Sequence, residues 1–227
     1  MLALHLSQCA VNYPGLTSPV LHIDELKIAA GERVAITGAS GSGKSTFVNI
    51  TTGLEAVKQG KVAWSGSDIA TFSETARDRW RGANVGLVMQ DFHLFPGLSA
   101  MDNILLPARF ARVMTGQSQE RARFLLEKTG LARPDQRIET MSRGEMQRVA
   151  IARALLRKPG VVVADEPTAS LDPENADSVG RLLVDLARIE HTTLIVITHD
   201  RLLAERLSRR IELSNGGIVS DITRKAY

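Results

Sequence analysis

The sequence predicts an α/β fold: a mixed, largely parallel sheet at the core, an antiparallel β subdomain at the N-terminal end, and an α-helical subdomain inserted between core segments. Three observations predict it. The runs Val161-Val162-Val163-Ala164 and Leu194-Ile195-Val196-Ile197 are too continuously apolar to alternate, as befits central strands covered on both faces. A third run, Arg33-Val34-Ala35-Ile36-Thr37, leads into a glycine-rich turn and then a helical pattern from about Lys44 to Thr52. Between about Arg77 and Lys158 the pattern turns mostly helical, and Gln119 to Thr129 and Glu145 to Arg157 carry apolar residues such as Met146, Val149 and Ala150 at helical spacing.

Taken in order, Leu2 to about Ile36 alternates around the turn signals Tyr13-Pro14-Gly15 and Ala30-Gly31-Glu32, the pattern of short antiparallel strands. Beyond the helical stretch, Asp172-Pro173 places a capping carboxylate before a proline at a first helical position, and the helix it starts buries Val179, Leu182, Leu183 and Leu186. The residues after His199 end in short strands around the turn Asn215-Gly216-Gly217. The expected organisation is one domain, 1–227. Its core and β subdomain come from 1–84 and 159–227, and its helical subdomain from about 85–158.

A chain of 227 residues, 44% apolar and 23% charged, can bury a full core. No apolar run approaches the roughly 18 residues that cross a bilayer, so no membrane span is expected. Leu6-Ser7-Gln8-Cys9 faintly resembles a lipoprotein processing site, but no basic residue precedes it, its apolar stretch is short and Gln8 is not small. Cys9 is the only cysteine, which rules out an intramolecular disulfide and fits a reducing cytoplasm. The net charge is +3, with Lys and Arg interspersed among Asp and Glu, so no nucleic-acid partner is expected.

Gly38-Ala39-Ser40-Gly41-Ser42-Gly43-Lys44-Ser45 matches the Walker A pattern, with a strand before it and a helix after it, and Thr46 next to it is a further cofactor-binding candidate. In that pattern backbone N–H groups close around phosphates and the helix N-terminus adds positive potential. Lys44 then reaches the β- and γ-phosphates, and Ser45 ligates Mg²⁺. The run Val161 to Ala164 ends in Asp165-Glu166. Strand side chains alternate, so the two carboxylates diverge, one to serve Mg²⁺ and one free to polarise a water. GTPases select guanine with an Asn-Lys-x-Asp element, and no Asn-Lys pair occurs in this chain. These residues indicate a P-loop ATPase.

Met141-Ser142-Arg143-Gly144-Glu145-Met146-Gln147-Arg148 lies shortly before that acidic strand, and Ser142 and Glu145 have capping-box spacing. The segment resembles the signature motif of the ABC ATPase family, usually Leu-Ser-Gly-Gly-Gln/Glu. The resemblance spans nearly the whole chain. It implies that Gln90 is the Q-loop glutamine, sensing Mg²⁺ and the helical subdomain, and that Ser170-Leu171-Asp172 is the D-loop. His199 would be the switch histidine on the γ-phosphate. Tyr13, 25 residues before the phosphate loop, would be the aromatic that stacks on adenine. It further implies a head-to-tail dimer with a second copy or a homologous cassette, in which Ser142, Gly144 and Asp172 of one chain close over the other's ATP while Glu166 activates water. The partners implied are integral-membrane permease subunits, with the chain cytoplasmic and peripheral on the inner face of the cell membrane.

Two residues depart from the pattern. Met141 for leucine conserves volume. Arg143 stands where the first signature glycine is usual, so that position is either helical here or differs in local geometry. Asn103-Ile104-Leu105-Leu106-Pro107 is similar to the cassettes of lipoprotein-releasing and macrolide-exporting systems, and less closely to the cell-division cassette. The resemblance leaves open an importer cassette or a soluble ABC ATPase acting on DNA or ribosomes. The soluble class usually carries a coiled-coil insertion or tandem cassettes, and this chain has neither.

Overall fold

The computed structural model describes residues 1–224. The chain runs β1 (Leu4–Val11), β2 (Leu21–Ile28), β3 (Arg33–Thr37), α1 (Lys44–Thr52), β4 (Gln59–Trp64), β5 (Ser67–Asp68), α2 (Glu74–Asn84), β6 (Val85–Val88) and α3 (Ala100–Phe110). It continues α4 (Gly116–Lys128), α5 (Arg143–Leu155), β7 (Val161–Asp165), α6 (Pro173–Ile189), β8 (Thr193–Ile197), α7 (Arg201–Glu205), β9 (Arg209–Ser214) and β10 (Gly217–Thr223). A four-stranded antiparallel sheet has the order β2-β1-β4-β5, and a six-stranded sheet the order β10-β9-β3-β8-β7-β6. In the larger sheet only β10 is antiparallel to its neighbour.

The apolar strands divide their side chains by twos between two cores. Val34, Ile36, Val161, Val163, Ile195 and Ile197 join Phe47, Val48 and Ile50 of α1 and the antiparallel sheet. Ala35, Val162, Ala164, Leu194 and Val196 face the opposite core, built from α3 to α7. Burial on both faces is why these runs contain no polar residue, since each fully buried Val or Ile contributes about 1.5–3 kcal/mol.

The expected helical subdomain at about 85–158 begins too early. Val85–Val88 form β6, the edge strand of the core sheet, in parallel register from Val85↔Val161 to Val88↔Ala164. Four residues are too few to display a period, and Gly86 is bare because a Cβ there would lie 2.5 Å from the Ala154 carbonyl oxygen. The helices of the insertion begin at Ala100. Helix α5 runs from Arg143, directly after the Ser142 cap, and ends at Leu155, before the expected Arg157. Of the four residues expected to be buried in α6, Leu182 is only half-buried. The last three residues of the expected domain, 225–227, lie outside the described residues.

Candidate nucleotide site

Parallel pairing in the order β3-β8-β7-β6 brings the C-terminal ends of four strands side by side. The segments that follow carry Gly38, His199, Asp165 with Glu166, and Gln90 in turn.

After β3 the chain turns at Gly38, where a Cβ would lie 2.2 Å from the Leu213 carbonyl oxygen and 2.6 Å from Ser42 Oγ. Ala39, Ser40 and Gly41 form the exposed rim, and Ser42 N donates to the Ala39 carbonyl at 3.2 Å. Gly43 caps α1 with φ 100°, and a Cβ on it would lie 2.8 Å from the Val20 carbonyl oxygen. No side chain caps this helix and its first turn carries no acid, so its free N–H groups and positive end face an incoming anion. Lys44 Nζ folds across the loop, donating to the carbonyls of Gly38 at 2.8 Å and Ala39 at 2.7 Å. Ser42 Oγ is buried with no protein partner, a polar atom that a phosphate oxygen would satisfy. Ser45 is exposed and Thr46 buried in the first turn. The loop therefore fits a phosphate chain.

β7 ends at Asp165, and Glu166 adopts a left-handed φ of 46°, so the strand's alternation stops between the two carboxylates. Glu166 N still donates to the Ile197 carbonyl at 2.9 Å, so the strained residue is held by the ladder. Its Oε2 accepts from His199 N at 3.3 Å and lies 2.9 Å from His199 Nδ1. Burial, and then the neighbouring Glu166, push the Asp165 carboxyl above its ordinary pKa, against a smaller pull from Lys44. Ser45, Asp165 and Gln90 offer hydroxyl, carboxylate and amide oxygens, the donor types that suit Mg²⁺. Gln90 is exposed in the turn after β6. Tyr13 follows β1, exposed, with its hydroxyl donating to Glu55 Oε2 at 2.7 Å.

Ser142, Gly144 and Asp172 form a second cluster. Ser142 caps α5 in a reciprocal capping box with Glu145, whose Oε2 accepts from Ser142 N at 2.9 Å. Asp172 caps α6, accepting from Asn175 N at 3.1 Å and Asn175 Nδ2 at 2.7 Å. A Cβ on Gly144 would lie 2.7 Å from Asn175 Oδ1, so the two helix ends meet through that side chain. Among the described residues no hydrogen bond joins this cluster to the loop 38–46.

A family model described as ABC transporter matches residues 21–169, more than half of the chain. The chain belongs to the ABC transporter family. It is an ATP-binding cassette and an ATPase, and the α/β core with its antiparallel subdomain is the cassette fold. It is 40% identical over 197 residues to the lipoprotein-releasing system ATP-binding protein LolD of Pseudomonas fluorescens, covering 86% of this chain and 87% of the relative. Among solved structures it resembles the dimeric post-hydrolysis state of the ATP-binding cassette MJ0796 bound to ADP and Pi. That match has a TM-score of 0.87 and 31% identity, covering 99% of this chain and 100% of the other. It also resembles cbiO1 of Clostridium perfringens, part of the ABC transporter complex cbiONQ, with a TM-score of 0.85 and 27% identity, covering 97% of this chain and 88% of the other.

In this cassette Arg143 takes the first helical position of α5, which requires no positive φ, and its guanidinium extends over the Phe92 ring, 5.5 Å from the centroid. Sequence reasoning missed Asn175, Glu55 and Arg153. Arg153 donates to the Phe92 carbonyl at 2.6 Å and also to that of His93, holding two consecutive left-handed residues just past Gln90. No motif marks these three: Glu55 and Arg153 act through neighbours distant in sequence, and Asn175 meets Gly144 only in the fold.

Proposed function

We propose that this cassette energises a membrane permease of the lipoprotein-release or macrolide-export type, peripheral on the inner face of the membrane, as one half of a head-to-tail dimer. The observation that carries the permease reading is an exposed aromatic pair. Phe95 is 48% and Phe110 70% exposed, with their centroids 6.2 Å apart, on the helical layer just beyond Gln90. Such rings at a surface suit the apolar anchor of a docked helix. The likeness to LolD supports the lipoprotein-release type.

In this reading the loop 38–46 binds the triphosphate of ATP, with Lys44 on its outer phosphates and Tyr13 under the base. Ser45, Asp165 and Gln90 would hold Mg²⁺, which when bound screens the phosphate charge. Glu166 orients and deprotonates the attacking water, and His199 holds Glu166 and reaches the γ-phosphate. Among the described residues Ser142, Gly144 and Asp172 make no hydrogen bond to the loop of their own chain, which favours their closing over the ATP of a second copy. Co-expression with candidate permeases tests the reading. Retention of the chain in the membrane fraction only alongside a permease, and its release by Phe95→Ala with Phe110→Ala, is the expected result. A purely soluble distribution in every pairing counts against it.

A further inference from the structure

We propose that Glu55 is a positioning residue for the nucleotide base, fixing the ring of Tyr13 through the phenol hydroxyl. The proposal rests on the reading of Tyr13 as the aromatic that stacks on adenine. In a purely stacking role the hydroxyl is idle, yet it donates to Glu55 Oε2 at 2.7 Å across 42 residues of sequence. A carboxylate only accepts, so the direction of this bond is fixed.

The two residues hang from elements that build the site. Tyr13 follows β1 in an exposed loop, and Glu55 follows Gly53, the residue capping the C-terminal end of α1. The Glu55 backbone is itself held, its N–H donating to the Asn49 carbonyl within α1 at 3.1 Å. Glu55 therefore ties Tyr13 to the same rigid helix whose other end forms the phosphate loop. Residues 12 to 19 are all exposed, so little packing sets the ring angle. A long, partly hydrated ring on such a loop samples several rotamers, and only one lies parallel to a base whose phosphates are already seated. Partial desolvation, and then Glu55, push the phenol above its ordinary pKa.

The test is ATP affinity and steady-state hydrolysis for the full chain and five variants: Tyr13→Ala, Tyr13→Phe, Glu55→Ala, Glu55→Gln, and Tyr13→Phe combined with Glu55→Ala. Glu55→Ala and Tyr13→Phe should each raise KM for ATP about three- to tenfold with little change in kcat, as expected for one partly exposed hydrogen bond. The combined variant should be no worse than either alone. Glu55→Gln should behave like the parent, because its amide oxygen still accepts, and thermal midpoints should not move. An unchanged KM in Glu55→Ala, alongside a raised KM in Tyr13→Ala, overturns the role of Glu55 and leaves Tyr13 under the base. Additive effects in the combined variant overturn it as well. An unchanged KM in Tyr13→Ala removes the base-stacking reading itself.

Discussion

His199 Nδ1 and Glu166 Oε2 lie 2.9 Å apart, joining the end of β8 to the end of β7 across adjacent parallel strands. The pair is lopsided: the His199 side chain is 71% exposed, whereas that of Glu166 is 14% exposed. Glu166 is thus the sheltered member, its backbone bonded to Ile197, and His199 holds its carboxylate from the solvent side.

That asymmetry sets the first prediction. Glu166→Gln should keep ATP binding while lowering kcat by about 10²-fold or more, because the amide occupies the same place but takes no proton. ATP should then accumulate a closed dimer, visible by size-exclusion chromatography. Turnover near the parent rate would remove Glu166 from the chemistry.

Lys44 acts earlier, on binding. Its ammonium bridges the carbonyls of Gly38 and Ala39 over the hollow of the loop, and a charge-assisted bond to phosphate is worth about 1.5–3 kcal/mol. Lys44→Ala should therefore weaken ATP binding by about ten- to a hundredfold in equilibrium titration. Unchanged affinity would count against phosphate binding by this loop.

Signature-helix capping should show in the pH dependence of stability. The Ser142 N–H lowers the Glu145 carboxyl below its ordinary pKa, so the folded state favours the ionised form. A lowered folded pKa adds stability that is present above the unfolded value, roughly 4.3, and is lost as pH falls through the folded one. Glu145→Ala should cost about 1 kcal/mol at neutral pH, with the gap to the parent narrowing below about pH 4. A gap that stays constant in urea titrations from pH 7 to pH 3 would mean that the carboxylate does not close the capping box.

What the sequence made legible divides along physical lines. The strands around Val161 and Leu194, the phosphate loop and the caps at Ser142 and Asp172 were all recognisable, because period, continuous apolarity and capping chemistry are local properties. Strand β6 was not, since four residues hold too little pattern to separate an edge strand from the start of a helix. Nor was the Tyr13 to Glu55 bond, which depends on where two loops meet. Arg143 shows an intermediate case. The sequence posed the alternative of a helical position or altered geometry, and the backbone at the first turn of α5 answers it in favour of the helix.

The meeting of the two helix ends at Gly144 yields a sharper test. A Cβ there would lie 2.7 Å from Asn175 Oδ1 and 3.0 Å from Asn175 Cγ, so Gly144→Ala must push Asn175 aside. Asn175 supplies both bonds to Asp172, so the displacement should loosen the α6 cap, worth about 0.5–2 kcal/mol. Adding Asn175→Ala to Gly144→Ala should relieve the clash, leaving the pair less destabilised than the sum of the two. Simple additivity in denaturant unfolding would mean that the helix ends do not couple through Asn175.

The aromatic residues after Gln90 separate core from surface within four positions. Phe92 is 7% exposed and held on both sides, by Arg143 over its ring and by Arg153 on its carbonyl, whereas Phe95 stands open beside Phe110. Phe92→Ala should therefore lower folding stability by about 3–5 kcal/mol, through lost burial and the cavity left behind. Phe95→Ala should leave the thermal midpoint and the ATPase rate of the free chain nearly unchanged while lowering permease co-purification, because a surface anchor contributes to docking and not to the fold. Measuring all three quantities on both variants distinguishes the roles. A large loss of stability in Phe95→Ala, with normal partner binding by the protein that remains folded, would return Phe95 to the core and end its role as an anchor.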